Sequence, residues 1–428
     1  MGTSTPSGAR RTNRTADLVY LAVSVMAVTV TFVLWSFTMG RAFHEHGTAA
    51  ALADSLFPVA ALTMYTRLSL GVGPMLFQAI ALAIALQTVP SSMSAPGFTT
   101  LISGLVGAWY VAVPTGRGSI IKAGLWAGVA AAVVSGLAAI PSGSADRILA
   151  VTVGAFFGGV VSGGVALAAS PMAERLFQQV TSLTILEALS YDHQLLRDLM
   201  TKAPGTFLHS TNVSLLTDAA ARAINADALA VRVGALYHDV GKTAHPEFFI
   251  ENQEHGEGAV VDEDALSAAE RGRILASHVT DGVAMVLKHG LGERVAIFVR
   301  EHHGTSRMRS LIDRARRDGT VDADLLRYPG PRPQCRETAL LMMADQIEAS
   351  ARSTPLPTLE ACLAFARRAT ERIRAEGQLA ESGMSDGDLE AAIQAFGGVL
   401  HAIHHRRFGY PEAPVSRHGA PVIAGLRD

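Results

Sequence analysis

Between Arg67 and Arg117 the chain runs for 49 consecutive residues without a formal charge. A stretch that long points to helices that cross a lipid bilayer, whose core of roughly 30 Å takes about 20 apolar residues. Pro90-Ser-Ser-Met-Ser-Ala-Pro-Gly97 divides it into two spans, because clustered Pro and Gly mark turns. Leu18–Met39 is a further uncharged run, and 49–65, 123–145 and 148–173 are apolar enough to be three more. The expectation is about six helices over residues 18–173, after a short segment 1–17. Leu18–Met39 is too long for a signal-peptide core, and Thr38-Met39-Gly40 is a poor cleavage site, so it reads as an uncleaved anchor.

Charge divides the chain in two. Residues 1–175 hold nine Lys/Arg and five Asp/Glu, and the remaining 253 residues hold the other 60 charges. A net charge of −2 gives no electrostatic drive toward DNA or RNA polymers. With six spans both ends lie on one side. Arg10, Arg11, Arg14, Arg67, Arg117, Lys122 and Arg175 then face inward, and only Arg41 and Arg147 face outward. The positive-inside rule therefore puts the C-terminal half in the cytosol, with the spans crossing the cell membrane. Two cysteines, Cys335 and Cys362, are too few for a disulfide framework. The outer loops are short, so no extracellular domain is expected. Asp54 near the start of the second span reads either as an intramembrane functional carboxylate or as an interface residue. Repeated glycines, such as Gly154, Gly158, Gly159 and Gly163, either permit close helix approach or simply loosen the helix.

From Glu174 onward the apolar residues recur at helical spacing, and no stretch alternates with period two. An amphipathic connector helix is expected over 174–200. An all-α domain should follow over 201–411, then a tail over 412–428. Thr206, after Pro204-Gly205, is a plausible N-cap. Helices are expected over 207–224, 228–238, 265–288, 294–302, 337–352, 358–374 and 385–405. The fold class is all-α, a polytopic membrane region followed by a soluble helical domain.

Thirteen of the fifteen histidines lie after residue 175. The informative set is His209, His238-Asp239, His278, His302-His303 and Asp345. His238-Asp239 follows an apolar run, and burying an ionised Asp there is costly without a cation or hydrogen bonds. Gly241-Lys242 ends that helix and brings an ammonium close. Imidazole and carboxylate together suit Mn, Fe, Zn or Ni rather than Ca or Mg.

Here the chain resembles the HD-domain phosphohydrolases, and most closely their membrane-bound members with a seven-transmembrane receptor-like region, which include cyclic-di-AMP phosphodiesterases. The strings that carry this are Leu199-Met-Thr-Lys-Ala-Pro-Gly-Thr206, His209-Ser210, Arg232-Val-Gly-Ala-Leu-Tyr-His-Asp-Val-Gly-Lys242, Pro246-Glu-Phe-Phe-Ile-Glu-Asn-Gln253, His278-Val279, Glu301-His-His-Gly-Thr305, Arg327-Tyr-Pro-Gly-Pro331, Met343-Ala-Asp-Gln-Ile-Glu-Ala349 and Tyr410-Pro411. The resemblance implies two divalent transition-metal ions, Mn or Fe. His209, His238, Asp239 and Asp345 would bind one. Asp239 would bridge to the second, held by His278, His302 and His303. Paired metals clamp the oxygens of a phosphodiester and activate water, and Lys242 would stabilise the charge developing on phosphorus. The chain departs from the family at Leu208, where a histidine is usual, and two further departures are expected: no extracellular sensor ahead of the spans, and a span count one below seven.

The resemblance also selects a substrate. Relatives that split cyclic-di-GMP carry Gly-Tyr-Pro just after the paired histidines. Here Gly409-Tyr410-Pro411 comes 106 residues after His303, and Gly304-Thr305 follows instead, as in the cyclic-di-AMP group. Arg327, Thr305 and Asn252 are the candidate substrate contacts, Gln253 a weaker one. Arg307, Arg309, Arg314, Arg316 and Arg317 read as a solvated helix face. Glu348, one turn after Asp345, is either a partner of the metal site or a plain surface carboxylate. The expected activity is hydrolysis of a cyclic dinucleotide, most closely cyclic-di-AMP to the linear dinucleotide. The alternatives are a less specific nucleotide phosphohydrolase and a membrane receptor that binds nucleotide without turnover. Expected partners are the dinucleotide and the bilayer, with homodimerisation left open.

Overall fold

The computed structural model describes residues 14–43, 47–112, 114–177, 180–253, 266–309, 311–312, 315 and 326–404. Arg10, Arg11, Arg314, Arg316, Arg317, His405, Tyr410-Pro411 and the tail lie outside them, as do the side chains of Arg14 and Arg175. Among the described residues every regular element is helical; an isolated antiparallel bridge joins Arg307 and Arg327. The all-α expectation holds.

The first region comprises α1 (Arg14–Ala42), α2 (Thr48–Ser55), α3 (Ala60–Ser69), α4 (Val72–Gln87), α5 (Pro96–Tyr110), α6 (Gly118–Ala139) and α7 (Ala145–Phe177). Four segments, Asp17–Ala42, Thr48–Ser69, Gly118–Ser142 and Ala145–Glu174, are long and apolar enough to cross a membrane. Thr48–Ser69 is α2 and α3 in succession, interrupted at Phe57-Pro58-Val59, where Pro58 lacks an N–H. α4 and α5 have only 16 and 15 residues, about 24 Å and about 22 Å, shorter than the bilayer core. Of the six expected spans, four correspond to segments of full crossing length and the other two to the shorter α4 and α5.

Polar contacts mark the two ends of this bundle. At one end Asp54 accepts from Ser36 Oγ (2.9 Å) and the Ser92 amide (2.7 Å), while Arg147 donates to the Ser92 carbonyl (2.8 Å). At the other, Tyr20 and Thr66 share a hydrogen bond (2.7 Å) and Gln78 donates to Ser24 (2.8 Å). Asp54 is therefore a structural tie between α1, α2 and the α4–α5 loop. Between the ends, α6 and α7 pack backbone to backbone. A Cβ on Gly159 would lie 2.2 Å from Gly128 Cα, so the close approach requires glycine there. Large apolar side chains such as Met26, Phe37, Phe77 and Leu149 point outward.

The expected single connector over 174–200 is instead the end of α7, then α8 (Ser182–Glu187) and α9 (Gln194–Lys202). Thr181 is extended and its hydroxyl accepts from the Thr184 amide, which caps a new helix start. Leu183 is buried among Leu68 and Ile120 of the membrane bundle, and Ile185 among Leu236 and Tyr237 of the second region. α8 thus keys the two regions together.

The second region holds α10 (Pro204–Ala223), α11 (Ala228–Tyr237), α12 (Ile250–Gln253), α13 (Ala268–Lys288), α14 (Glu293–Glu301), α15 (Arg336–Ala351), α16 (Leu359–Ala375) and α17 (Asp386–His404). The expected helices recur within three residues at each end. α10 begins earlier than expected, with Pro204 in its first turn and Ala203 rather than Thr206 at the N-cap. α15 runs through the middle, with Leu340, Leu341, Met342 and Met343 all fully buried against α10, α11 and α14.

Candidate metal centre

Five helices deliver seven side chains to one point. α10 supplies His209, and α11 ends at Tyr237 so that His238 caps it and Asp239 begins the next turn. α13 supplies His278, the end of α14 supplies His302-His303, and α15 supplies Asp345. Gly241 lets α13 close on this turn: a Cβ there would lie 2.0 Å from the His278 carbonyl oxygen.

The seven fall into two overlapping sets. Asp239, His278, His302 and His303 form one, and His209, His238 and Asp345 the other, with ligand atoms in each within 4.8 Å of one another. Asp239 stands between them. Its Oδ2 lies 3.2 Å from His238 Nε2 and 3.7 Å from His209 Nε2, while its Oδ1 lies 3.4 Å from His278 Nε2 and 3.6 Å from His302 Nε2. Asp345 Oδ1 is 3.0 Å from His209 Nε2, and its Oδ2 is 3.5 Å from His303 Nδ1.

The ring orientations are fixed from behind. His238, His278 and His302 each turn Nδ1 to the backbone carbonyl three residues earlier, those of Ala235, Leu275 and Val299. A proton on Nδ1 leaves Nε2 with a lone pair facing inward, the arrangement metal-binding histidines adopt. His209 Nδ1 meets Glu348 instead, and Asn212 Nδ2 holds that carboxylate at 3.0 Å. Glu348 is thus a partner of the site and not a surface carboxylate.

His238 Nε2 and Asp239 Oδ1 are buried without a hydrogen-bond partner. Two orphaned polar atoms in one small space are costly unless a cation, either a proton or a metal ion, sits between them, so the residues fit metal ions. Burial would raise Asp239, yet His238 and Lys242 hold its carboxyl well below the usual range. Burial opposes the charged form of His238, but Asp239 and Asp345 hold its pKa up at about 10. Burial, helped by His302, pushes His278 down to about 3. The set with His238 therefore holds protons that a metal would displace, whereas His278 is already neutral.

Lys242 Nζ lies 2.7 Å from Asp239 Oδ2 and 2.8 Å from Glu251 Oε1. Glu251 in turn accepts from Thr206 Oγ1 at 3.0 Å. Asn252 clamps the same place: its Oδ1 accepts from the Thr206 amide and its Nδ2 donates to Thr206 Oγ1. Thr305 is held by Gln378 through its amide (3.1 Å), and Arg327 donates to the Thr305 carbonyl (3.3 Å). The structure thus brings the seven ligand candidates and Lys242 together, and engages Asn252, Thr305 and Arg327 in bonds within the domain.

A cavity of about 770 Å³ opens over the cluster. Arg327 is not among its lining residues, but its neighbour Tyr328 is, with its ring stacked on His303 at 4.0 Å. Phe249 meets His278 edge-on at 5.7 Å. Arg307 and Arg309, expected on a solvated face, line the cavity, as do Arg271, Arg352 and Arg372. Reading by residue type had passed over Glu251, Tyr328, Arg352 and Arg372. Glu251 and Tyr328 lay inside the quoted strings; nothing in the sequence singles out Arg372.

Residues 206–350 match the HD domain family, and residues 5–181 match the family described as 7TM receptor with intracellular HD hydrolase. Cyclic-di-AMP phosphodiesterase PgpH of Bacillus subtilis (strain 168) is 33% identical over 323 residues, 74% of this chain and 45% of that protein. The protein of the same name from Listeria monocytogenes serotype 1/2a (strain 10403S) is 31% identical over 260 residues, 60% of this chain and 36% of that one. A crystal structure of the L. monocytogenes PgpH HD domain in complex with cyclic-di-AMP is similar at 30% identity and a TM-score of 0.47, covering 51% of this chain and all of that one. The chain spans less than half the length of these curated relatives. It belongs to the family of 7TM receptors with an intracellular HD hydrolase, and it is a membrane protein.

Proposed function

We propose that this member of the family hydrolyses a cyclic dinucleotide, cyclic-di-AMP, to the linear dinucleotide at the cytosolic face of the cell membrane. The observation that carries the reading is the Asp239 carboxylate between two sets of inward-facing imidazoles, with one oxygen turned to each. That donor set suits a pair of Mn or Fe ions. Bound there, two divalent ions would activate a water and polarise a phosphoryl oxygen, the chemistry a phosphodiester needs. His209, His238, Asp239 and Asp345 would hold one ion; Asp239, His278, His302 and His303 the other.

The chain's own groups do the rest. Nδ1 bonds behind His238, His278 and His302 keep their Nε2 atoms in place. Lys242 offsets negative charge at the scissile phosphate, and Glu251 keeps its ammonium aimed there when Asp239 is engaged elsewhere. Tyr328 and Phe249 offer apolar walls against the imidazoles, suited to a nucleobase or ribose. Water adds to one phosphorus, one ring P–O bond breaks, and the chain opens. The relatives' names support cyclic-di-AMP as substrate. A receptor without turnover would tolerate missing ligands, and all seven are present.

The cytosolic placement rests on the seven-to-two distribution of Lys and Arg between the two sides. Topology reporters fused after Ser92 and after Asp428 should fall on opposite sides; the same side for both would overturn it. The activity is tested on the purified full chain in lipid nanodiscs with Mn and a panel of cyclic dinucleotides. Conversion of cyclic-di-AMP to its linear form, lost on chelation, is expected. Turnover of none of them would overturn the function.

A further inference from the structure

The cavity over the metal centre carries more positive charge than one phosphate needs. Six cationic side chains line it, Lys242, Arg271, Arg307, Arg309, Arg352 and Arg372, against three carboxylates, Glu251, Asp345 and Glu376. Some of these cations are committed near the metals. Lys242 is held by Asp239 and Glu251, and Arg352 by Glu348, whose carboxylate also meets His209.

A different group lies on a wall that supplies no metal ligand. Arg309 pairs with Glu376, the residue that caps α16. Arg372 sits one turn before Glu376 on the same helix and also faces the cavity. Arg372 has no ion-pair partner among the described residues. Arg309, Glu376 and Arg372 together are one positive charge in excess, with Glu376 orienting one guanidinium and leaving the other open.

We infer that Arg309 and Arg372 form a second-phosphate subsite that holds the phosphodiester not being cleaved. The inference rests on the dinucleotide reading above. A cyclic dinucleotide carries two phosphates separated by two riboses. When one phosphate is at the metal centre, the other is displaced across the cavity and needs its own cation. A guanidinium grips such a group through two parallel N–H bonds, and the cavity volume lies in the range of small-ligand sites. The subsite makes the enzyme selective for molecules with two phosphates: a single-phosphate diester reaches the metals but has nothing to place on α16.

The test compares two substrates on the full chain in nanodiscs with Mn: cyclic-di-AMP, and bis(p-nitrophenyl) phosphate, which has one phosphate. Arg372→Ala and Arg309→Ala should each lower kcat/KM for cyclic-di-AMP by about tenfold or more, mainly through KM. The loss on the single-phosphate diester should stay under about threefold. Equal losses on both substrates, or no loss on either, would overturn the subsite, and the second substrate guards against a folding defect. Wild-type turnover of bis(p-nitrophenyl) phosphate without turnover of any cyclic dinucleotide would instead overturn the proposed function, and the subsite with it.

Discussion

The two halves of this protein are built from the same element but place their buried polar groups differently, scattered along single helices in one and gathered from several helices in the other. In the membrane bundle almost every buried hydroxyl is tied off locally. Ser55, Ser69, Thr100, Ser162 and Ser170 each donate to the carbonyl four residues earlier. Asp54, its one buried carboxylate among the described residues, has both oxygens occupied. In the HD domain the buried polar groups come from five helices and converge, and two of their atoms, His238 Nε2 and Asp239 Oδ1, are left without partners. Lipid offers no water to satisfy a stray donor, so most of the bundle's buried hydroxyls settle their own hydrogen bonds, with the Tyr65 hydroxyl an exception. In the HD domain those two atoms are placed where a cation would complete them. Convergence of imidazoles and carboxylates from five helices on one point, and not helix content or a single open atom, marks the candidate site.

Asp239→Ala is the strongest way to break that contrast. It removes the carboxylate that faces both imidazole sets, so hydrolysis should vanish and metal content should fall while helicity by circular dichroism is retained. Two bound metals with near-normal turnover would mean the orphaned atoms are not ligands. On the membrane side, Gly159→Leu should be nearly as damaging for a different reason. The added side chain collides with the Gly128 backbone, so the α6–α7 contact must open. A cost of about 3 kcal/mol or more is expected from such overpacking against backbone, read as lost yield of folded protein in detergent. Unchanged yield and thermal stability would show that the glycines only loosen the helix.

Glu348→Ala sharpens the comparison by removing a group that touches the site only through His209. Metal affinity should fall by about 10–100-fold with the fold intact; an unchanged affinity would return Glu348 to a passive role. The pH dependence follows from His238, which burial opposes and Asp239 and Asp345 keep protonated up to about pH 10 in the metal-free protein. Metal must displace that proton. Affinity should therefore weaken as pH falls, by about tenfold per unit for each proton released, as titration calorimetry at two pH values would show. A flat profile would mean His238 is already neutral. The smallest effect belongs to the seam between the halves. Arg117 and Glu187 pair at 2.7 Å but both side chains are about half exposed or more. Arg117→Ala should cost about 0.5 kcal/mol or less, and a shift of several degrees in melting temperature would show that α8 is held more tightly than its geometry indicates.

Much of this was legible in residues alone because it depends on local patterns. Uncharged runs and helical periodicity set the all-α class and the division near residue 175, since bilayer thickness and the helical repeat act on neighbouring residues. The seven candidate ligands could be named by resemblance, their strings being distinctive one at a time. The breaks at Pro58 and Thr181 were harder to see, because each is a single residue working against a periodic background. What the sequence could not rank was everything that depends on a partner from another helix. Glu348 had even standing as a surface carboxylate until α10 placed His209 and Asn212 against it. Arg327 stood out in its motif, yet it is Tyr328 that stacks on the site. Asn252 was named for a base, and nothing in the sequence pointed to its bonds with Thr206, 46 positions earlier. Arg372 had no motif at all and reaches the cavity only because α16 packs beside α15. Residue type and spacing determine which groups can do chemistry; only packing decides which of them meet, because partners on different helices are brought together by tertiary contacts alone.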